Sequence, residues 1–286
     1  WGLPFRFLVW LIPWKGKFGA SEYGVAGLGL VTLSFLVAAF RVDPPGPAMA
    51  AGLLPSVGVG PDGRYWFLAV SILGATLTPY LFYFYSSGAI EDGGTIAELS
   101  PNRIVAAIGM LFGGVLAGAV LVVAAMVMPD MRIEDYAALP LVLSRVFGRT
   151  GFWLFVASLW IGCLGAALEI TLAITYLLAQ GYNWRWGENL RPREAARFVL
   201  TYTGLVAVGL GFTLAGVDAL QLTNLAMALT SAVLPLALSP LLLLMNDRRY
   251  LGRHANGWLA NGFAVVIVAL SLALAVVSIP LAIAGG

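Results

Sequence analysis

Seven long apolar runs follow one another along this chain, over residues 24–40, 65–90, 104–128, 152–179, 198–217, 219–245 and 257–284. A hydrocarbon core about 30 Å thick needs about 20 residues of helix, and each run is long enough, or nearly so. In lipid a backbone group finds no water, so a span must satisfy its own N–H and C=O groups, as an α-helix does. The sequence therefore predicts an all-α polytopic membrane protein. The remaining residues agree, because 60% are hydrophobic and only 10% charged, with mean hydropathy +0.90. Soluble chains carry about 25% charged residues. An eighth apolar stretch, residues 1–14, is too short to cross and is expected to be the tail of a span that begins upstream, the chain then being a fragment. A helix lying in the interface is the alternative for that stretch.

The same composition excludes several function classes. Sixteen Lys and Arg against fourteen Asp and Glu leave no cationic footprint for nucleic acid. With one cysteine, Cys163, and one histidine, His254, a disulfide framework, a Cys-based zinc site and a cluster of imidazoles are all out of reach within the chain. No HExxH, GxSxG or paired carboxylates lie at a plausible depth, so an enzyme is not expected. Nor is a resident cofactor or an obligate protein partner; the lipid bilayer is the partner that the composition requires.

Cationic residues set an orientation. Loops after the first, third, fifth and seventh segments hold ten: Lys15, Lys17, Arg103, Arg185, Arg191, Arg193, Arg197, Arg248, Arg249 and Arg253. The intervening loops hold five: Arg41, Arg64, Arg132, Arg145 and Arg149. The larger set is expected in the cytoplasm of a cell-membrane protein. The opposite face carries Asp43, Asp62, Asp130, Glu134, Asp135 and Asp218, a mildly cation-attracting surface.

The stretch Ser71-Ile-Leu-Gly-Ala-Thr-Leu-Thr-Pro-Tyr80 interrupts the third segment. Gly74, Thr76, Thr78 and Pro79 gather at its middle, and Pro79 removes a donor and clashes with the carbonyl of Ala75. A broken helix at membrane depth is tolerated where it packs in protein or lines a cavity, and transporters use unwound carbonyls and half-helix ends to hold cations. A simple proline kink reads the same way from composition. Beyond the break come Tyr80, Tyr83, Tyr85, Ser86 and Ser87, then Glu91 and Asp92. At helical spacing Tyr80, Phe84 and Ser87 share a face, as do Tyr83, Ser86 and Ser87, which suits a hydroxyl-lined path or an aromatic belt.

Gly74-Ala-Thr-Leu-Thr-Pro-Tyr-Leu-Phe-Tyr-Phe-Tyr-Ser-Ser87 resembles the sixth transmembrane helix of the Nramp divalent-metal transporters, whose pattern is Gly-Ala-Thr-x-Met-Pro-His. Leu234-Pro-Leu-Ala-Leu-Ser-Pro-Leu-Leu-Leu-Leu-Met-Asn-Asp-Arg-Arg-Tyr-Leu-Gly252 looks like the tenth helix and its cytoplasmic exit. Eight segments, the first ending inside, would then be helices four to eleven, a parity that the Lys and Arg count reaches independently. The resemblance implies a LeuT-type inverted-repeat transporter fold, present in part, with a discontinuous helix between Ala75 and Pro79. It implies import of divalent metal ions. By position, the metal-facing carbonyl falls on Ala75, the family's methionine on Thr78, its histidine on Tyr80 and its tenth-helix glutamine on Met227. The Asp-Pro-Gly-Asn half of the site belongs to the first helix, upstream of Trp1; Asp43-Pro-Pro-Gly46 sits in a loop and does not replace it.

The departures carry chemical weight. A thioether suits soft or borderline metals, whereas hydroxyl and carbonyl oxygens suit hard ones such as Mg²⁺. Loss of the histidine removes a proton carrier that works near neutral pH. Mg²⁺ gives up its water reluctantly and binds through few direct ligands. The combination resembles the Nramp-related magnesium transporters, and predicts import of hydrated Mg²⁺, and also Mn²⁺, by alternating access without proton coupling. The alternatives are a proton-coupled Mn²⁺/Fe²⁺ importer of the standard Nramp type and an amino-acid carrier of the same fold.

Other polar residues in the spans join the candidate pathway. Glu169 lies well inside a hydrophobic segment, where an ionisable group costs about 2.5–3.5 kcal/mol on insertion scales and so points to function; a carboxyl paired with an arginine or kept protonated is the other account. Thr223 and Asn224 face the interior if Met227 does, either to offer oxygens to water around the ion or, the reading preferred here, to form interhelical hydrogen bonds worth about 0.6 kcal/mol each. Thr171 and Thr175 form a further helical pair. Trp184, Arg185 and Trp186 read as an interfacial anchor, His254 as solvated and Cys163 as a small packing residue.

Overall fold

The computed structural model describes residues 2–15, 27, 29–52, 64–76, 78–129, 131, 136–188 and 190–283. Lys17, Asp62, Leu77, Asp130, Arg132, Glu134 and Asp135, which enter the sequence argument, lie outside the described residues, as does the start of the 24–40 run. Every regular element among the described residues is helical: α1 (Gly2–Lys15), α2 (Leu33–Arg41, entered through a 3₁₀ turn Leu30–Thr32), α3 (Gly46–Gly52), α4 (Arg64–Thr76), α5 (Pro79–Glu91), α6 (Leu99–Val127), α7 (Leu141–Phe147), α8 (Arg149–Gly181), α9 (Ala196–Leu214), α10 (Ala219–Asn246), α11 (Arg248–Leu251) and α12 (Trp258–Ile283). Among them, four stretches are long and apolar enough to cross a membrane: Ile96–Val127, Arg149–Gly181, Ala196–Leu214 and Ala219–Asn246. Arg248–His254 and Trp258–Leu272, bent by 118° at their junction, make a fifth if taken as one span.

Two compact units divide the chain. The first holds Trp1–Pro55 and Phe84–Gly216. Its longest helix, α8, buries Phe155, Ser158, Ile161, Leu164, Leu168, Leu172, Thr175, Tyr176 and Ala179, a stripe whose steps of three and four follow the helical repeat. Phe152, Trp153, Leu159 and Trp160 stay exposed, as the outer face of a membrane helix does. At its start α8 packs with α2, α6 and α7 around Phe35, Val123, Leu143 and Phe155. A Cβ on Gly151 would stand 2.1 Å from the carbonyl oxygen of Leu143, so the α7–α8 crossing needs a residue without one. Further along, Leu164 and Leu168 meet Val9 of α1. Lipid tails are as apolar as leucine, so close packing and hydrogen bonds hold such helices together. Here Tyr202 Oη donates to the carbonyl of Val9 (2.6 Å), Trp10 Nε1 to Thr203 (3.1 Å) and Arg6 to Thr213 (2.8 Å).

The second unit holds Ser56–Tyr83 and Val217–Gly286. In it α10 packs against both α4 and α12, and α12 against α4. Asp218 caps α10, its carboxylate accepting from the N–H groups of Leu220 (2.8 Å) and Gln221 (3.2 Å). Pro235 and Pro240 sit within α10.

Several boundaries differ from those expected. The helix expected from residue 104 begins at Leu99 and takes in Arg103, because Thr95 and Glu98 close a capping box and Pro101 falls in the first turn, where its missing N–H costs nothing. The helix expected to end at 217 ends at Leu214, because Gly216 turns the chain with φ +69° ahead of the Asp218 cap. Trp184 and Trp186 are more than surface anchors. Both pack on the cluster of Leu172, Tyr176, Ala195, Phe198 and Tyr202, and Trp184 carries the Arg197 guanidinium over its ring at 5.7 Å.

Candidate functional site

The segment read as one interrupted span is two helices of thirteen residues each, α4 and α5. Pro79 is the first residue of α5, the place in a helix where an absent N–H leaves no bond unmade. At the end of α4 the last four carbonyls, including that of Ala75, have no partner within their own helix, and the dipole makes this end electronegative. Ala75 and Thr76 are exposed, and the Thr76 hydroxyl gives its hydrogen to the carbonyl of Ile72 (2.8 Å). Gly74 lies in the last turn of α4.

Thr78 stands between the helices. Its carbonyl accepts from Leu81 N–H (3.2 Å), starting α5. The side chain is only 6% exposed, and its Oγ1 has no hydrogen-bond partner among the described residues. A buried hydroxyl left unpaired costs about 1–3 kcal/mol. Oxygen at this position suits a hard ion or its water.

Tyr80 and Tyr83, in the first turns of α5, are half-buried, and Tyr83 donates to the main-chain carbonyl of Ala237 in α10 (2.9 Å). Asn224 and Met227, three residues apart on α10, are half-buried too. Thr223 is exposed instead and donates to Ala219 of its own helix (2.7 Å), so it does not join them. All of these belong to the second unit.

Glu169 belongs to the first unit. It is half-buried beside Leu168 on α8 and forms no hydrogen bond or ion pair with another described residue. Thr171 and Thr175 turn their hydroxyls back on Ala167 (2.6 Å) and Thr171 (2.7 Å), which satisfies them within the helix.

One constellation in the first unit escaped the sequence reading. Tyr176 donates its hydroxyl to Glu91 Oε2, and the same hydroxyl lies 3.0 Å from Glu188 Oε1. The main-chain N–H of Glu188 donates to Glu91 Oε1 (2.6 Å), and Gln180 Nε2 donates to Ser87 Oγ (2.8 Å). Tyr176 and Gln180 are one helical turn apart on α8, and Ser87 and Glu91 one turn apart on α5. That pair of matching intervals was the signal available in the sequence.

Long apolar helices with exposed apolar outer faces define a polytopic integral membrane protein. The family described as Nramp, natural resistance-associated macrophage protein-like, matches residues 1–280, and the chain belongs to that family. Among its relatives, the divalent metal cation transporter MntH of Vibrio campbellii is 28% identical over 252 residues, covering 86% of this chain and 57% of the relative. MntH of Aeromonas hydrophila is 28% identical over 265 residues (88% and 61%), and MntH of Pectobacterium carotovorum is 28% identical over 275 (93% and 63%). The chain thus spans about three-fifths of the length of the curated relatives it matches.

Proposed function

We propose that this chain forms most of a divalent metal cation transporter of the cell membrane, working by alternating access on a LeuT-type inverted repeat. Family membership and relatives described as divalent metal cation transporters support the reading. The observation that carries it is the junction between α4 and α5, where the buried hydroxyl of Thr78, without a partner among the described residues, lies between an electronegative helix end and Pro79. Ala75 supplies a carbonyl and Thr78 a hydroxyl to the ion. Thr76, Tyr80, Tyr83, Asn224 and Met227 line its way, and Glu169 adds negative charge along the route. The loops bearing the larger share of Lys and Arg face the cytoplasm.

For the ion, the relatives fit the standard Nramp alternative, a proton-coupled Mn²⁺/Fe²⁺ importer, better than the magnesium reading expected first. Magnesium is kept as a second reading for one observation: Thr78 offers oxygen where the family's motif has methionine. Entry of either ion is downhill at a negative-inside potential, by about 2.3 kcal/mol per elementary charge per 100 mV.

Uptake of Mn²⁺ and Mg²⁺ into proteoliposomes holding the full-length protein and an internal pH dye tests both. Mn²⁺ entry with acidification supports the standard reading, Mg²⁺ entry without acidification supports the second, and entry of neither ion overturns the proposal. In the same assay Glu169→Gln slows uptake; an unchanged rate removes Glu169 from the route.

A further inference from the structure

We propose that the turn joining α10 to α12 is a seat for the phosphate headgroup of an anionic membrane lipid, held by Arg248, Arg249 and Arg253. The inference rests on the reading of α10 and α12 as membrane spans with this turn at the cytoplasmic surface, and every residue it uses belongs to the second unit. Charge is the first ground. From Ala219 to Gly286 the chain holds three arginines, one histidine and one acid, and all of them fall within residues 247–254. The acid, Asp247, turns its carboxylate to the main chain, where it accepts from Arg249 N–H (2.8 Å) and caps α11. The three arginines are exposed, and none is ion-paired with another described residue; Arg253 Nε donates to His254 Nε2 (3.4 Å). Positive charge without a protein counter-ion, placed at the end of a span, is drawn to anionic headgroups.

Geometry is the second ground. Arg248–His254 and Trp258–Leu272 meet at 118°, so the turn runs across the axis of α12, as a segment lying in the membrane interface does. Tyr250 and Trp258, each 81% exposed, flank the arginines, and aromatic residues favour the level of the headgroups. Leu243, Leu244 and Phe263 are exposed on the adjoining turns of α10 and α12 and offer apolar surface to acyl chains, which a free anion lacks. The turn is also cross-linked. Asn246 at the end of α10 and Asn261 on α12 exchange amide hydrogen bonds (3.0 and 2.6 Å). Asn256 donates its amide to Asn261 Oδ1 (3.2 Å) and its N–H to the Met245 carbonyl (2.8 Å). A site held in place before its ligand arrives loses less freedom on binding.

The test titrates the full-length protein, in micelles of a neutral detergent, with phosphatidylglycerol and counts bound lipid by native mass spectrometry. Phosphatidylcholine with the same acyl chains is the neutral comparison. Phosphatidylglycerol is expected to bind about a hundredfold more tightly, from three guanidiniums at about fivefold each. Arg248→Gln, Arg249→Gln and Arg253→Gln are each expected to weaken it about fivefold and to leave phosphatidylcholine unchanged. All three side chains are exposed, so the variants keep the wild-type melting temperature. Arg193→Gln removes an exposed arginine of the first unit and is the control that leaves binding unchanged. Equal binding of the two lipids, or an equal loss in Arg193→Gln, overturns the seat. Soluble glycerol phosphate or a hexaglutamate peptide that displaces the lipid at equal concentration also overturns it, making the occupant a free phosphate or an acidic protein segment. The readout needs no transport, so a wild-type protein that moves no metal overturns the proposed function and leaves the lipid result standing.

Discussion

The Tyr83 hydroxyl donates to the main-chain carbonyl of Ala237 across 2.9 Å, joining positions 154 residues apart in the chain. The acceptor lies between Pro235 and Pro240, where α10 lacks two N–H donors and the carbonyls of Ser231 and Leu236 lose their helical partners. A tyrosine on the second half of the broken span thus grips the proline-weakened part of its neighbour. Tyr83→Phe keeps the ring and removes the grip, and is expected to lower stability by about 0.6 kcal/mol, the average for an interhelical hydrogen bond in a membrane. Unfolding of the micelle-solubilised protein with denaturant reads the loss directly.

Thr78 separates a role in transport from a role in the fold. Its hydroxyl is buried without a partner among the described residues, so Thr78→Val removes a polar group and breaks no hydrogen bond to any of them. Stability is expected to stay level or rise, while metal uptake falls. Thr78→Met restores a thioether and shifts competition between Mn²⁺ and Mg²⁺ toward Mn²⁺ by about tenfold, or 1.4 kcal/mol. Unaltered competition in the Met variant would put the side chain out of reach of the ion.

At the α7–α8 crossing the missing side chain is what matters. A methyl on Gly151 would fall 2.1 Å from the Leu143 carbonyl oxygen, and that neighbour is backbone, which yields poorly. Gly151→Ala is expected to cost about 1–3 kcal/mol, typical of overpacking. A melting temperature measured in detergent checks this, and a wild-type value would show that the two helices separate freely.

Asp218 is expected to act through α10. Asp218→Ala leaves the N–H groups of Leu220 and Gln221 without their acceptor and costs about 1 kcal/mol, whereas Asp218→Asn retains most of the cap. Hydrogen exchange confined to the first turn of α10 distinguishes the two variants. Equal exchange in both would mean that water replaces the cap at no cost.

What the amino-acid order determined by itself is whatever depends on near neighbours and on the solvent. Long apolar runs in a chain with few charges require helices in lipid, whereas a proline beside glycine and threonine reads equally as a kink or as a break. Capping residues could also be read locally, although Thr95 with Glu98 and Gly216 with Asp218 moved two boundaries by several residues. Tertiary structure alone decided which hydroxyls already have partners. Thr76, Thr171 and Thr175 bond within their own helices, while Thr78, of the same residue type, is buried with no partner among the described residues. It also brought Glu91 to Tyr176 and Glu188, which are 85 and 97 residues away in the chain. Spacing shows which residues share a face of one helix, but not which face of another helix comes to meet it, because that depends on packing between segments distant in the chain.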